Sequence, residues 1–164
     1  LPSCSLSPES NCGNGIDEDC DGADETNPDE YESNNSCGTA YYLGVDPDKT
    51  MYPTIDSKSD QYDFFYFKAV DGTSILGPEK IWVDVSDLTN GLDVDIYLYK
   101  GLSDCNAGPS KAIAKSVTDG DDDESLVWQE GFATGDDGYY YVEVSRYTGN
   151  SCYWPYKLHI KGLK

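Results

Sequence analysis

The residues best placed to do chemistry lie at the front of the chain, in the run Cys12-Gly-Asn-Gly-Ile-Asp-Glu-Asp-Cys-Asp-Gly-Ala-Asp-Glu25. Asp17, Asp19 and Asp21 alternate, Gly22 follows at once, and Asp24 closes the set. Residues 1–36 hold ten acidic side chains and no Lys or Arg. At ~5 Å spacing in a partly screened site, each like-charged pair costs about 3 kcal/mol, so such a run is stable only when solvated or gathered around a cation. Alternating carboxylates before a glycine suit a loop that wraps a hard divalent ion in oxygen ligands, calcium above all. Asp17, Asp19 and Asp21 take loop positions 1, 3 and 5, Gly22 the sharp turn, and the Ala23 carbonyl position 7. An EF-hand would need a bidentate Glu at position 12, where Pro28 stands. This departure rules out a standard EF-hand. The plain alternative is a solvated acidic loop. Copper is disfavoured because imidazole and thioether ligands are lacking.

Composition narrows the function classes. Against 31 acidic residues stand 11 basic ones, a formal net charge of −20. Nucleic acid is a poor partner for such a chain, since phosphate contacts need clustered Lys and Arg. No apolar run approaches the ~20 residues of a membrane span. The chain begins at Leu1 without a signal-like stretch, and is read as a processed or excised piece. Cys4, Cys12, Cys20, Cys37, Cys105 and Cys152 are scattered, with no CxxC pair and a single His, His159, so a zinc site is not expected. They are expected to form disulfides in an oxidising, extracellular setting, secreted or at the cell surface. Pairing cannot be deduced from sequence. Proximity favours Cys12–Cys20, with Cys4–Cys37 and Cys105–Cys152 tying arm and loops to the body.

Residues 1–29 hold only Leu1, Leu6 and Ile16 as large apolar side chains and cannot build a core. They form an irregular metal-binding arm. From residue 30 to 164 short alternating stretches appear between turn signals such as Asp71-Gly72, Asn90-Gly91, Asp119-Gly120 and Asp137-Gly138. Strands are expected at 38–43, 50–54, 62–69, 80–86, 95–100, 111–116, 125–130, 139–147 and 153–161, and no amphipathic helix. This predicts an all-β protein, an antiparallel, jelly-roll-like β-sandwich.

Several pieces of this second region resemble the bacterial pre-peptidase C-terminal domain, a β-sandwich appended to secreted proteases and related to the collagen-binding domains of clostridial collagenases. They are Glu30-Tyr-Glu-Ser-Asn-Asn-Ser36, Asp60-Gln-Tyr-Asp-Phe-Phe-Tyr-Phe67, Leu92-Asp-Val-Asp-Ile-Tyr-Leu-Tyr99, Gly138-Tyr-Tyr-Tyr-Val-Glu-Val144, Tyr147-Thr-Gly149 and Tyr156-Lys-Leu-His-Ile160. The resemblance implies a second calcium site built from Glu30, Glu32, Asn34, Asn35, Asp60 and Asp63. Asn35 stands where relatives often carry Asp. Collagen itself is a doubtful partner, since Ser145 occupies the place of a Tyr in the collagen-binding relatives. The acidic run at 12–25 is similar to a short metal-binding motif of secreted bacterial proteins, including a copper-associated surface protein of methane oxidisers, and to thrombospondin type 3 and dockerin loops; the type 3 pattern implies that Asp24, with Glu25 or Asn27 in reserve, completes the shell.

Other candidates have simpler readings. Asp119-Gly-Asp-Asp-Asp-Glu124 is read as a solvated loop before a third calcium site. Asp93 and Asp95 cap a turn, and Asp136-Asp137-Gly138 is a hairpin turn. Asn34-Asn-Ser36 is a glycosylation sequon whose use would compete with the ligand role. Trp82, Trp128 and Trp154 are read as core or interface residues. A Ser-His-Asp triad would have His159 as its single base and no nucleophile elbow to serve, and the acidic clusters alternate with Gly and Asn as ligand loops do rather than as the paired carboxylates of glycosidases, so no catalysis is expected. The expected function is a secreted, calcium-binding, non-catalytic module with a structural or binding role. The alternatives are a self-assembling subunit of an extracellular fibre or surface layer, joined through the arm, and a targeting domain of a secreted hydrolase that holds extracellular matrix or polysaccharide.

Overall fold

In the computed structural model, residues 12–24, 28–56, 58, 60–70, 79–89, 91–131, 137–151 and 153–163 are described. The turn signals at 71–72, Asn90 and Asp136, and Cys4 and Cys152, lie outside them.

Nine strands are present: β1 (Tyr41–Val45), β2 (Asp48–Met51), β3 (Tyr62–Ala69), β4 (Lys80–Ser86), β5 (Asp93–Lys100), β6 (Ala114–Ser116), β7 (Glu124–Gln129), β8 (Gly138–Thr148) and β9 (Lys157–Lys161). They form two sheets, ordered β1-β3-β8-β5-β6 and β2-β9-β4-β7. All pairs are antiparallel except β1 with β3. The fold is an all-β sandwich, as the sequence pattern predicts.

Alternation decides what faces inward. Phe65, Phe67 and Ala69 of β3, Val142 and Val144 of β8, and Ile96 and Leu98 of β5 meet Ile81, Val83 and Val85 of β4 and Leu158 and Ile160 of β9 in one core. Period-2 side chains give each strand one buried face and one outward face. On β4 the burial alternates cleanly.

The outward face of the larger sheet is not simply polar. Phe64, Tyr99 and Tyr141 form a second apolar cluster there with Cys37 and Cys105. The cover is a 3₁₀ turn at Cys37–Thr39 and a short helix, α1 (Leu102–Ala107), joined by the Cys37–Cys105 disulfide. This explains why Tyr62–Phe67 is aromatic on both sides: one face feeds the core, the other the covered cluster. The helix escapes sequence detection because it is only six residues long, between Gly101 and Gly108.

The bridge corrects the expected pairing. Cys37 joins Cys105, so neither Cys4–Cys37 nor Cys105–Cys152 forms. Their closeness comes from β3, β8 and β5 lying side by side, which no spacing in the sequence reveals. Cys12 and Cys20 are also disulfide-bonded. No helix among the described residues is long and apolar enough to cross a membrane.

The Cys37–Cys105 bridge spans 68 residues of chain. By the chain-entropy account, closing such a loop contributes about 4 kcal/mol. The paired change Cys37→Ser with Cys105→Ser should lower Tm on the order of 10 °C in a thermal melt.

Candidate metal centres

Two groups of acidic side chains converge. The first is the arm. Ligand atoms of Asp17, Asp19 and Asp21 all lie within 4.8 Å of one another. The loop is shaped by its own carboxylates, which accept backbone N–H groups: Asp17 from Gly22 at 3.0 Å, Asp19 from Asp21 at 3.1 Å, and Asp21 from Ala23 at 3.0 Å. Gly22 has φ +106°, a conformation that favours glycine. Asp24 accepts from Gly15 N–H at 2.6 Å and so folds back onto the loop's start. The outer oxygens Asp17 Oδ1 and Asp24 Oδ1 are buried without a hydrogen-bond partner. The structure thus brings Asp17, Asp19, Asp21 and Asp24 into one loop. Ala23 is exposed, with its N–H tied to Asp21.

The second group lies where the chain enters the sandwich. Asp29, Glu32 and Asp63 bring ligand atoms within 4.8 Å of one another. Asp63 is fully buried in β3, and Asn34 is fully buried beside that strand, its carbonyl accepting the Phe64 N–H at 2.9 Å. Asp60 is 8 % exposed and anchored through its N–H to Asp56 Oδ1 at 2.8 Å. Glu32 Oε1, Asn34 Oδ1 and Nδ2, Asp60 Oδ1 and Asp63 Oδ1 are all buried with no hydrogen-bond partner. A buried polar atom without a partner costs about 1–3 kcal/mol, and the four oxygens among these could accept a cation.

Of the six residues expected here, Glu32, Asn34, Asp60 and Asp63 gather. Glu30 is not in the converging acidic group, and Asn35 stands beside it. Glu30 is exposed and interacts with the Tyr31 hydroxyl. Asn35 donates its amide N–H to Glu32 Oε2 at 3.1 Å, holding a ligand candidate in place. Asp29 takes the position expected for Glu30. Its Oδ2 accepts the Thr54 N–H at 2.6 Å and its Oδ1 the Tyr31 N–H at 2.8 Å. The frame is set by Tyr31, whose ring packs edge-on against Tyr41 and Phe65 and leaves 29 and 32 facing the same way. An acidic residue immediately before the Glu30-x-Glu32 pair was the available signal.

The two groups are joined physically. Gly13 of the arm is buried, with φ +65°, and a Cβ there would lie 2.5 Å from Asp56 Oδ2. Asp56 in turn holds the N–H groups of Lys58 and Asp60 through its other oxygen. The arm therefore rests on the turn that carries Asp60.

Electrostatics show what the second group lacks. Burial pushes the Asp60 carboxyl far above its ordinary range, and the charges of Asp63, Glu32 and Asp56 add to that. Burial likewise raises Asp63, opposed by a hydrogen bond from the Tyr156 hydroxyl and reinforced by Asp29 and Glu32. Asp29 is raised by burial first and by Glu32 and Glu30 after it. A divalent cation would supply the missing positive charge. Mixed carboxylate and amide oxygens from two separate segments fit calcium, which accepts irregular shells of 6–8 oxygens, better than magnesium.

Elsewhere the sandwich carries simpler polar sites. His159 faces outward on β9, with Nε2 3.1 Å from Asp48 and Nδ1 3.8 Å from Asp84. Ser125 gives its hydroxyl hydrogen to Asp84 at 2.5 Å. A comparison of the chain with protein-family models gives no match, and a comparison with curated proteins gives none either.

The raised carboxyls make stability depend on pH with a definite sign. Their folded-state values lie above the ordinary 3.8, so without a cation the folded chain holds more protons than the unfolded one. Stability is then fully present below about pH 4 and is lost as pH rises through the folded-state values. In excess chelator, Tm should fall between about pH 4 and pH 8. In saturating calcium, which replaces the protons, that fall should disappear, and Asp60→Asn should flatten it without calcium.

Proposed function

We propose that this chain is a secreted, calcium-binding, non-catalytic β-sandwich module of the pre-peptidase C-terminal kind, with a structural or binding role at the cell exterior. Calcium at the arm loop and at the Asp29–Glu32–Asp63 group folds the first part of the chain and holds it against the sandwich. The observation that carries this reading is the set of buried oxygens without a hydrogen-bond partner on Glu32, Asn34, Asp60 and Asp63, gathered where no Lys or Arg is among the charges that act on Asp60 and Asp63. When bound, calcium supplies positive charge and coordination. The chain's residues do the rest: Asn35 steadies Glu32, Asp56 fixes the turn bearing Asp60, and Tyr156 orients Asp63.

Binding to the folded state alone adds stability. At a hundredfold excess over Kd each site contributes about 2.7 kcal/mol. Chelator should therefore lower Tm on the order of 10 °C and open the first 36 residues to protease. Asp63→Asn should remove most of the calcium response. Identical melting curves in calcium and in chelator would overturn the reading.

A second reading, a domain that targets a hydrolase to an insoluble matrix, is supported by the outward face of the larger sheet. Tyr66 stacks on Tyr141 at 5.3 Å and lies 4.8 Å from Tyr42, and Tyr42, Tyr62 and Tyr139 are 42–49 % exposed. Tyrosines pair an apolar ring with a polar tip and suit contact surfaces. Replacing Tyr42, Tyr62 and Tyr139 together with Ala should weaken retention on polysaccharide or collagen about tenfold, or ~1.4 kcal/mol. Absence of retention of the native chain on every matrix would rule this reading out.

A further inference from the structure

One more acidic region has buried carboxylates that its surroundings leave unsatisfied. β6 ends at Ser116 on the edge of the larger sheet, and β7 begins at Glu124 on the edge of the smaller one. The loop between them, Val117-Thr-Asp-Gly-Asp-Asp-Asp123, crosses from one sheet to the other and is exposed along its whole length. At its base stand two carboxylates that are not exposed: Asp93, the first residue of β5, at 6 %, and Glu124 at 1 %.

Both face the loop. Asp93 Oδ2 accepts the Gly120 N–H at 3.0 Å, and Glu124 Oε1 accepts the Thr118 N–H at 2.6 Å. The other oxygen of each, Asp93 Oδ1 and Glu124 Oε2, is buried and has no hydrogen-bond partner. Among the described residues neither is in an ion pair with Lys or Arg, and the pairs there are made by His159 with Asp48 and Asp84. The charges of Asp93 and Asp119 also meet at Asp95. A lone acidic loop can stay solvated, but buried carboxylates facing it with open lone pairs cannot be satisfied by bulk water.

We propose that Asp93, Glu124 and the 117–123 loop form a third site for a hard divalent cation, calcium by its oxygen-only donors, which clips the edges of the two sheets together. Asp93 and Glu124 are the buried ligands. Carbonyls of the loop supply further oxygens, and the carboxylates from Asp119 to Asp123, which do not yet converge with Asp93 and Glu124, close in when the ion binds. The site is remote in sequence from the arm and stands apart from the two groups already described.

The test counts bound calcium on the full chain by equilibrium dialysis with radioactive calcium. The double variant Asp93→Asn with Glu124→Gln, which keeps side-chain shape, should bind one ion fewer per chain than the native protein. Calcium should also protect the 117–123 loop from protease in the native chain and not in the variant. If the double variant fails to fold, the exposed pair Asp121→Asn with Asp122→Asn should instead weaken one ion about tenfold. An unchanged ion count and affinity in the variants, with the native loop cut equally fast in calcium and in chelator, would overturn the proposal. Asp63→Asn in parallel separates the two readings: loss of an ion there with none lost at Asp93 and Glu124 leaves the earlier site standing and sinks this one.

Discussion

The constraint on which the rest of the molecule depends is the placement of a carboxylate inside the sandwich. Asp63 sits on the inward side of β3, in line with Phe65 and Phe67, where the strand's alternation would otherwise place an apolar side chain. Tyr156, itself fully buried, can satisfy one of its oxygens. The other faces the entering chain at Asn34 and the acids around it. A charge there without a counterpart would be expelled or protonated. The opening residues of the domain, Asp29 to Asn34, are therefore tied to the strand by electrostatics as much as by packing.

Around that point the fold divides its labour. Core packing between the two sheets needs nothing from the arm: Phe65, Val142, Ile96, Val83 and Ile160 meet by alternation alone. The larger sheet then builds a second layer outward, where the turn at Cys37 and helix α1 lie over Phe64, Tyr99 and Tyr141. Tyr99, fully buried in that layer, bonds to Glu143 at 2.5 Å. The disulfide fixes a cover that three buried aromatic rings would otherwise have to hold by contact alone.

How much of this was legible depends on the range of the cause. β3 and β4 were read to their end residues because alternation and turn glycines are local signals. β9 was read too long, since Tyr153 to Pro155 precede pairing rather than join it. The Cys37–Cys105 pairing was not legible, because it follows from three strands lying side by side. In the arm, Asp17, Asp19 and Asp21 were legible as a set because the loop closes on itself. At the second group, Asp60 and Asp63 came from the strand motif, but the choice of Asp29 over Glu30 was fixed by where the Tyr31 ring packs. Propensity does not carry that information. The buried states of Asp93 and Glu124 were invisible for the same reason, since composition marks their loop as solvated.

The contact between Gly13 and Asp56 has a consequence for how this chain can vary. The carboxylate at 56 fills the space that any side chain at 13 would occupy, while its remaining oxygen caps the turn to residue 60. Variation at the thirteenth position is thus governed by a distant part of the chain. A larger residue there can be accommodated only by a shorter one at 56, and that exchange would free the turn at 58–60 from its hub.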